Sequence, residues 1–155
     1  MVLTSKKITL SKPVFENLLL HMVNLEHDKN KLVDEYFPGQ TKERNRFRDL
    51  LDNYIAKIDI LITNNLCIGE NSDNSLPFVV IGSDIEVIDM KTNDVFNYRM
   101  VTPYNNKEAH DVSIFSPVGK SMLLKKVGDE VTINTPGGKL KYKIQSIKMP
   151  LSQPS

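Results

Sequence analysis

Residues Ser113–Gly138 read SIFSPVGKSMLLKKVGDEVTINTPGG, and they set a helix start, a short helix and a β-hairpin end to end with almost no irregular sequence between. Ser116 is a good N-cap, because its hydroxyl can accept from a free N–H of the first turn, and Pro117 suits the first helical position, where a missing N–H is no loss. A short helix is predicted over Val118–Leu124, carrying Met122, Leu123 and Leu124. Gly128-Asp129 turns the chain into a strand over Glu130–Thr135, and Pro136-Gly137-Gly138 reverses it into a second over Lys139–Ile147.

Upstream, strands are predicted over Phe78–Ile81 and Asp84–Met90, which flank Gly82-Ser83, over Val95–Pro103 after the turn Lys91-Thr92-Asn93-Asp94, and over Ser113–Phe115. Ile85, Val87 and Asp89 alternate with Glu86 and Ile88, an imperfect period of two that fits a sheet partly covered on both faces. One antiparallel sheet with one short helix against it is an α+β domain, expected over residues 77–148. Gly69-Glu70-Asn71-Ser72-Asp73-Asn74-Ser75 is polar and turn-rich, a linker by composition. Met149–Ser155, with its two prolines, reads as a loose tail.

The first half has a different period. Phe15, Leu18, Met22, Leu25, Leu32 and Tyr36 fall 3 and 4 apart, with Lys29 at the one seam position that is not apolar, and Phe47, Leu51, Tyr54, Ile58 and Leu61 repeat the spacing. These are a and d positions of two heptad runs. Ser11 and Thr41 are the expected N-caps. Phe37-Pro38-Gly39-Gln40 must end the first helix, because proline cannot donate to its ladder. So short a loop predicts an antiparallel coiled-coil hairpin over residues 8–66, each helix roughly 22 to 24 residues and about 33 to 36 Å long. Leu19, Val23, Leu50, Ile55 and Ile62 widen the apolar stripe at the base, whereas charged residues crowd in toward the loop. An arm with an apolar base and a polar end fits this better than half of a bundle.

At 155 residues, 40% hydrophobic and formally +1 in charge, the chain can bury one or two small cores. The near-neutral balance argues against a protein held to nucleic acid by a broad basic surface, while leaving room for parts of different charge. Cys67 is the one cysteine; it has no internal disulfide partner, no Cys/His cluster marks a zinc site, and it is expected to be inert. No apolar run approaches the roughly 20 residues that span a bilayer, and the first seven residues lack the apolar core of a secretory signal. A cytoplasmic protein with no membrane partner is expected.

Taken in order, Ile8-Thr9-Leu10, Val80-Ile81-Gly82-Ser83-Asp84-Ile85, Phe96-Asn97-Tyr98-Arg99-Met100-Val101, Ile114-Phe115-Ser116-Pro117, Val127-Gly128-Asp129 and Thr135-Pro136-Gly137-Gly138 make the chain resemble the GreA/GreB transcript cleavage factors over nearly its whole length. The resemblance implies an FKBP-like second domain at the mouth of the RNA polymerase secondary channel, with the coiled-coil arm reaching toward the active centre. It implies RNA polymerase core as the partner, with Ser116, Pro117 and Lys120 at the contact, together with DNA binding and contact with nascent RNA. It implies no cofactor beyond a share in the polymerase's magnesium, and no enzyme activity of the chain's own.

Cleavage-competent members carry D-x-x-E at the tip, two hard oxygen ligands for the magnesium that generates the attacking water. Here Glu43 falls on the Glu position and is the expected metal ligand, but Gln40 stands where the Asp belongs, and a neutral amide is a poor magnesium ligand. Asp34 and Glu35 are the other tip carboxylates. The arm is also shorter than the family's by about one turn per helix. Both departures count against transcript cleavage and leave polymerase binding untouched.

Lys42, Arg44, Arg46 and Arg48 read either as a patch near RNA or as a solvated face balanced by Glu43, Asp49 and Asp52. His21 and His27, six apart, do not share a helix face as ligands and are expected at the surface. His110, Asp111 and Ser116 need no triad, since Ser116 is a cap and no nucleophile elbow surrounds it. Two other functions compete. A peptidyl-prolyl isomerase would suit an FKBP-like fold, but needs an aromatic-lined pocket built from Phe78, Phe96, Tyr98, Tyr104, Phe115 and Tyr142. A dimerising coiled-coil adaptor is opposed by the short loop and polar tip, which favour an intramolecular pair and a monomer.

Overall fold

The computed structural model describes residues 8–69, 74–103, 105 and 107–150, and the chain divides between Asp73 and Asn74 into two units. In the first, β1 (Ile8–Ser11) leads into α1 (Lys12–Tyr36), α2 (Lys42–Asn65) returns, and β2 (Leu66–Gly69) pairs with β1 in parallel. Ser11 caps α1 by accepting from the Val14 N–H at 3.4 Å, and Thr41 caps α2 by accepting from the Arg44 N–H at 3.1 Å. Both caps stand where side-chain chemistry placed them. The helices have 25 and 24 residues, about 36 to 38 Å each.

Their seam departs from a strict heptad. α2 buries Phe47, Leu51, Tyr54 and Ile58, as its spacing requires. On the facing side the buried row is Val14, Leu18, Leu25, Val33 and Phe37, with Phe15, Met22, Leu32 and Tyr36 only half-buried. The row begins one residue early and ends one residue late, which is the drift of a straight 3.6-residue helix against a 3.5-residue repeat. The same drift turns His21 toward α2. Its Nε2 shares a hydrogen bond of 2.9 Å with the Tyr54 hydroxyl, and the rings meet edge-on at 5.8 Å. His21 is therefore a seam residue rather than a surface one, and burial lowers its pKa from the ordinary 6.5. His27 is exposed, as expected. Lys29 keeps its seam position because Asp52 of α2 meets its Nζ at 2.5 Å.

The second unit consists of β3 (Asp84–Asp89), β4 (Val95–Val101), β5 (Asp111–Ser113), α3 (Pro117–Met122), β6 (Glu130–Thr135) and β7 (Gly138–Lys148). The strands lie in the order β5-β4-β3-β7-β6, and α3 packs against β5 and β6. Alternate residues Ile85, Val87, Met100, Val131, Ile133, Tyr142, Ile144 and Ile147 are buried, as is Met122 of α3, so a period of two on the sheet meets one turn of helix.

Four local expectations need correcting. The sheet is mixed rather than antiparallel, because β5 runs parallel to β4. The Asp111 carboxylate accepts from the N–H groups of Lys107 and Glu108, both at 3.0 Å, and this turn sets the chain down beside β4; the same bonds hold the Asp111 pKa below its ordinary 3.8. Residues 78–81 form no strand: Phe78 makes a single bridge to Lys126, and Val79 exchanges hydrogen bonds with Lys125 and Leu124 at 2.9 and 2.8 Å. α3 stops at Met122 because Leu124, at φ 65°, turns back to make that bond. Met149 is no loose tail; it is buried, and its N–H donates to the Asn74 carbonyl at 2.9 Å. The rest of the expected tail (151–155), the linker residues 70–73, Tyr104 and the Cys67 side chain lie outside the described residues.

Two outcomes follow from packing and titration. A Cβ on Gly119 would stand 1.8 Å from the Ser113 carbonyl oxygen, so Gly119→Ala must push α3 off β5 and is expected to destabilise the second unit by about 1–3 kcal/mol or more in chemical denaturation. A histidine held neutral contributes stability above its unfolded value and withdraws it as pH falls through the folded one. The first unit is therefore expected to lose thermal stability between about pH 7.5 and pH 5.5, and His21→Gln, which cannot titrate, to flatten that slope. Equal slopes in the two proteins would assign the effect to another group.

Candidate functional site

The helical tip is built around Gly39, whose φ of 123° lets the chain reverse between Phe37 and Thr41. The Phe37 N–H closes α1 on the Val33 carbonyl at 3.0 Å, and the Phe37 ring packs 5.2 Å from that of Phe47. Across this turn lies Arg44, a residue the sequence presented only as one of a basic cluster. Its Nη2 meets Asp34 Oδ1 at 2.6 Å, and its Nη1 donates to the Phe37 carbonyl at 3.0 Å. One planar guanidinium thus ties the last turn of α1, the loop and the first turn of α2 together. The Arg44 side chain is only 14% exposed. The signal that could have found this clamp is a carboxylate and an arginine bracketing a Pro-Gly turn.

The four tip residues named from sequence therefore differ in their surroundings. Asp34 is engaged by Arg44, while Glu35, Gln40 and Glu43 are exposed. Glu43 lies in the first turn of α2, where a carboxylate is favoured by the helix dipole without any metal. Among the described residues no three His, Cys, Asp or Glu side chains gather as a cation site. A divalent cation would find at this tip exposed single carboxylates rather than the paired ones of a D-x-x-E motif. Of the basic cluster, Lys42 and Arg46 are exposed, Arg48 is half-buried and Arg44 belongs to the tip.

In the second unit Ser116 caps α3: its Oγ accepts from the Gly119 N–H at 3.0 Å and donates to the Ser113 carbonyl at 2.7 Å. Its hydroxyl is thus engaged locally as donor and acceptor, as a cap requires. Pro117 opens the helix, and Lys120 is exposed with its Nζ 4.3 Å above the Phe115 ring, a cation–π contact that presents the ammonium at a defined place. Beside it a shallow groove of about 280 Å³ is lined by Lys120, Ser121, Lys125, Glu130, Val131 and Thr132. Among the described residues, no helix is long and apolar enough to cross a membrane.

The C-terminal family model for the transcription elongation factors GreA/GreB matches residues 74–149. Transcription elongation factor GreA of Syntrophus aciditrophicus is 30% identical over 160 residues, spanning 92% of this chain and 95% of that protein. GreA of Syntrophobacter fumaroxidans is 27% identical over 162 residues, spanning 92% and 98%. The structure of a GreA/GreB elongation factor from Nitrosomonas europaea aligns over 92% of this chain and 99% of its own, at 22% identity and a TM-score of 0.47. The chain belongs to the GreA/GreB family of transcription elongation factors, which act with RNA polymerase.

Removal of the tip clamp should be measurable without any partner. Arg44→Ala is expected to lower stability by about 1–2 kcal/mol in urea unfolding, because a charge-assisted bond and a carbonyl partner are lost together. Arg44→Lys should recover only part of it, since one ammonium cannot serve both acceptors in the same plane.

Proposed function

We propose that the protein binds RNA polymerase core through the secondary channel and modulates elongation with little or no stimulation of transcript cleavage. It does so as a cytoplasmic monomer with no cofactor of its own, and its arm meets nascent RNA. The observation that carries the cleavage part is the state of the tip carboxylates. Asp34 is bonded to Arg44 at 2.6 Å, Gln40 offers an amide, and Glu43 stands alone on the first turn of α2. Metal-assisted hydrolysis needs hard anionic oxygens that fix a cation and the water it activates. Glu35 on α1 and Glu43 on α2, exposed but not joined in a D-x-x-E pair, supply little of either.

The binding part is supported by the second unit. Its family-matched region contains α3, rigidly capped by Ser116, with Lys120 held outward over Phe115. A prolyl isomerase reading fares worse. Phe96, Tyr98 and Tyr142 pack on one another at 5.9 and 6.2 Å, the two hydroxyls sharing a 3.3 Å hydrogen bond, rather than around an opening. Burial, then that bond, raises the Tyr98 pKa. Phe78 is fully buried, and the groove beside α3 has no aromatic lining. An adaptor reading conflicts with a seam whose residues on α1 and α2 are already used on each other.

The test combines binding and cleavage. Lys120→Glu is expected to weaken binding to RNA polymerase core about five- to tenfold with an unchanged melting temperature; unchanged affinity would remove Lys120 from the contact. Added to a backtracked elongation complex, the native protein is expected to leave the cleavage rate near its unassisted value, and Gln40→Asp to raise it. Robust cleavage by the native protein would overturn this reading and direct attention to Glu35 and Glu43.

A further inference from the structure

We infer that the outward face of β7 is a binding strip for the phosphate backbone of single-stranded RNA. Leu140, Tyr142 and Ile144 alternate with Lys139, Lys141 and Lys143 along this strand, and Tyr142 and Ile144 are buried. A strand's side chains have a period of two, so the buried set fixes the lysines on the opposite face and forbids a slip in register. All three are exposed, and among the described residues none of them has an ion-pair or hydrogen-bond partner for its ammonium. Their cross-strand neighbours on β6 are Asn134, Thr132 and Glu130. Only the last, opposite Lys143, carries charge.

Lysine often guards an exposed edge strand; β3 pairs with β7 only over Tyr142–Lys148, so Lys139 and Lys141 lie beyond that ladder, whereas Lys143, paired with both β3 and β6, guards no edge. Three like charges in line oppose one another, so the arrangement costs stability rather than supplying it. Successive lysines stand about 6.8 Å apart, twice the rise of an antiparallel strand, which is close to the phosphate repeat of an extended single strand. Thr132 and Asn134 place a hydroxyl and an amide beside Lys141 and Lys139, able to donate to sugar or phosphate oxygens. The cross-strand neighbours of the lysines on β6 are not aromatic and offer no stacking platform for bases. Recognition is therefore backbone-led, indifferent to sequence and sensitive to salt. This inference is independent of the channel-binding reading, and its test contains no polymerase, so either can fail alone.

The experiment is fluorescence anisotropy of the full chain with a labelled oligouridylate of about a dozen nucleotides across a potassium chloride series. Three neutralised phosphates on a single strand give a log–log slope of about −2, a loss of roughly 20-fold between about 50 and 200 mM salt. Lys141→Gln alone should reduce the slope by about 0.7, and the triple Lys139→Gln, Lys141→Gln, Lys143→Gln variant should abolish most binding without lowering the melting temperature. Lys42→Gln with Arg46→Gln on the helical tip, whose RNA contact is proposed only within the polymerase, should leave the slope as it is. Three outcomes would overturn the proposal: a slope that follows the tip pair instead, tighter binding of a duplex of equal length, or competition by polyglutamate as effective as by RNA.

Discussion

The carbonyl of Ser113 occupies the space that a side chain on residue 119 would need, and the second unit is arranged around that approach. Because the α3 backbone rests on the end of β5, Ser116 is positioned to cap the helix and bond back to Ser113, and Met122 reaches the sheet core. The helix can then last only six residues before the chain must turn at Leu124 to meet Val79. That bond, with its partner to Lys125, buries Phe78, Val79 and Val80 without any strand. The placement of Lys120 over Phe115 follows from the same geometry, since both flank the close contact. A single hydrogen atom in place of a side chain thus decides where the exposed cation of α3 points.

The first unit has its own version of this economy. A short reversal between two long helices leaves carbonyls at the end of α1 and N–H groups at the start of α2 without helical partners. Thr41 answers the second need and Arg44 the first, with Asp34 completing the guanidinium's bonding. Lower down, Lys29 with Asp52 and His21 with Tyr54 fill the polar gaps of an otherwise apolar seam. Both Lys29 and His21 thus find a partner on the opposite helix, as a partly desolvated group requires.

What could be read from the sequence was whatever depends on near neighbours. The caps at Ser11, Thr41 and Ser116, the row on α2, the β6–β7 hairpin and the break at Pro38-Gly39 each follow from a few adjacent residues. Failures came where a distant partner decided the outcome. Residues 78–81 have strand-like composition, but the loop after α3 claims their hydrogen bonds. The parallel setting of β5 depends on a turn held by Asp111. Heptad counting misplaced His21 because the real helix keeps 3.6 residues per turn and its seam migrates. At the candidate site, Gln40 and Glu43 were legible as the residues on the motif positions, and both are exposed. The engagement of Asp34 went unread because its partner lies ten residues away, although a carboxylate and an arginine bracket the Pro-Gly turn.

That engagement constrains what the tip can do. Arg44 holds Asp34 through one carboxylate oxygen, Oδ1, at 2.6 Å and sets a positive charge beside it. A cation approaching the other oxygen would meet a carboxylate already paired with a guanidinium, whose charge opposes its own. Asp34 therefore adds less as an anionic ligand than a free carboxylate would. Glu43 offers no relief, because it stands on the opposite helix from Asp34 and has Gln40 rather than a carboxylate three residues before it. In a short arm the residues that close the turn and those that could face a metal come from the same few positions, and here closure has taken the carboxylate.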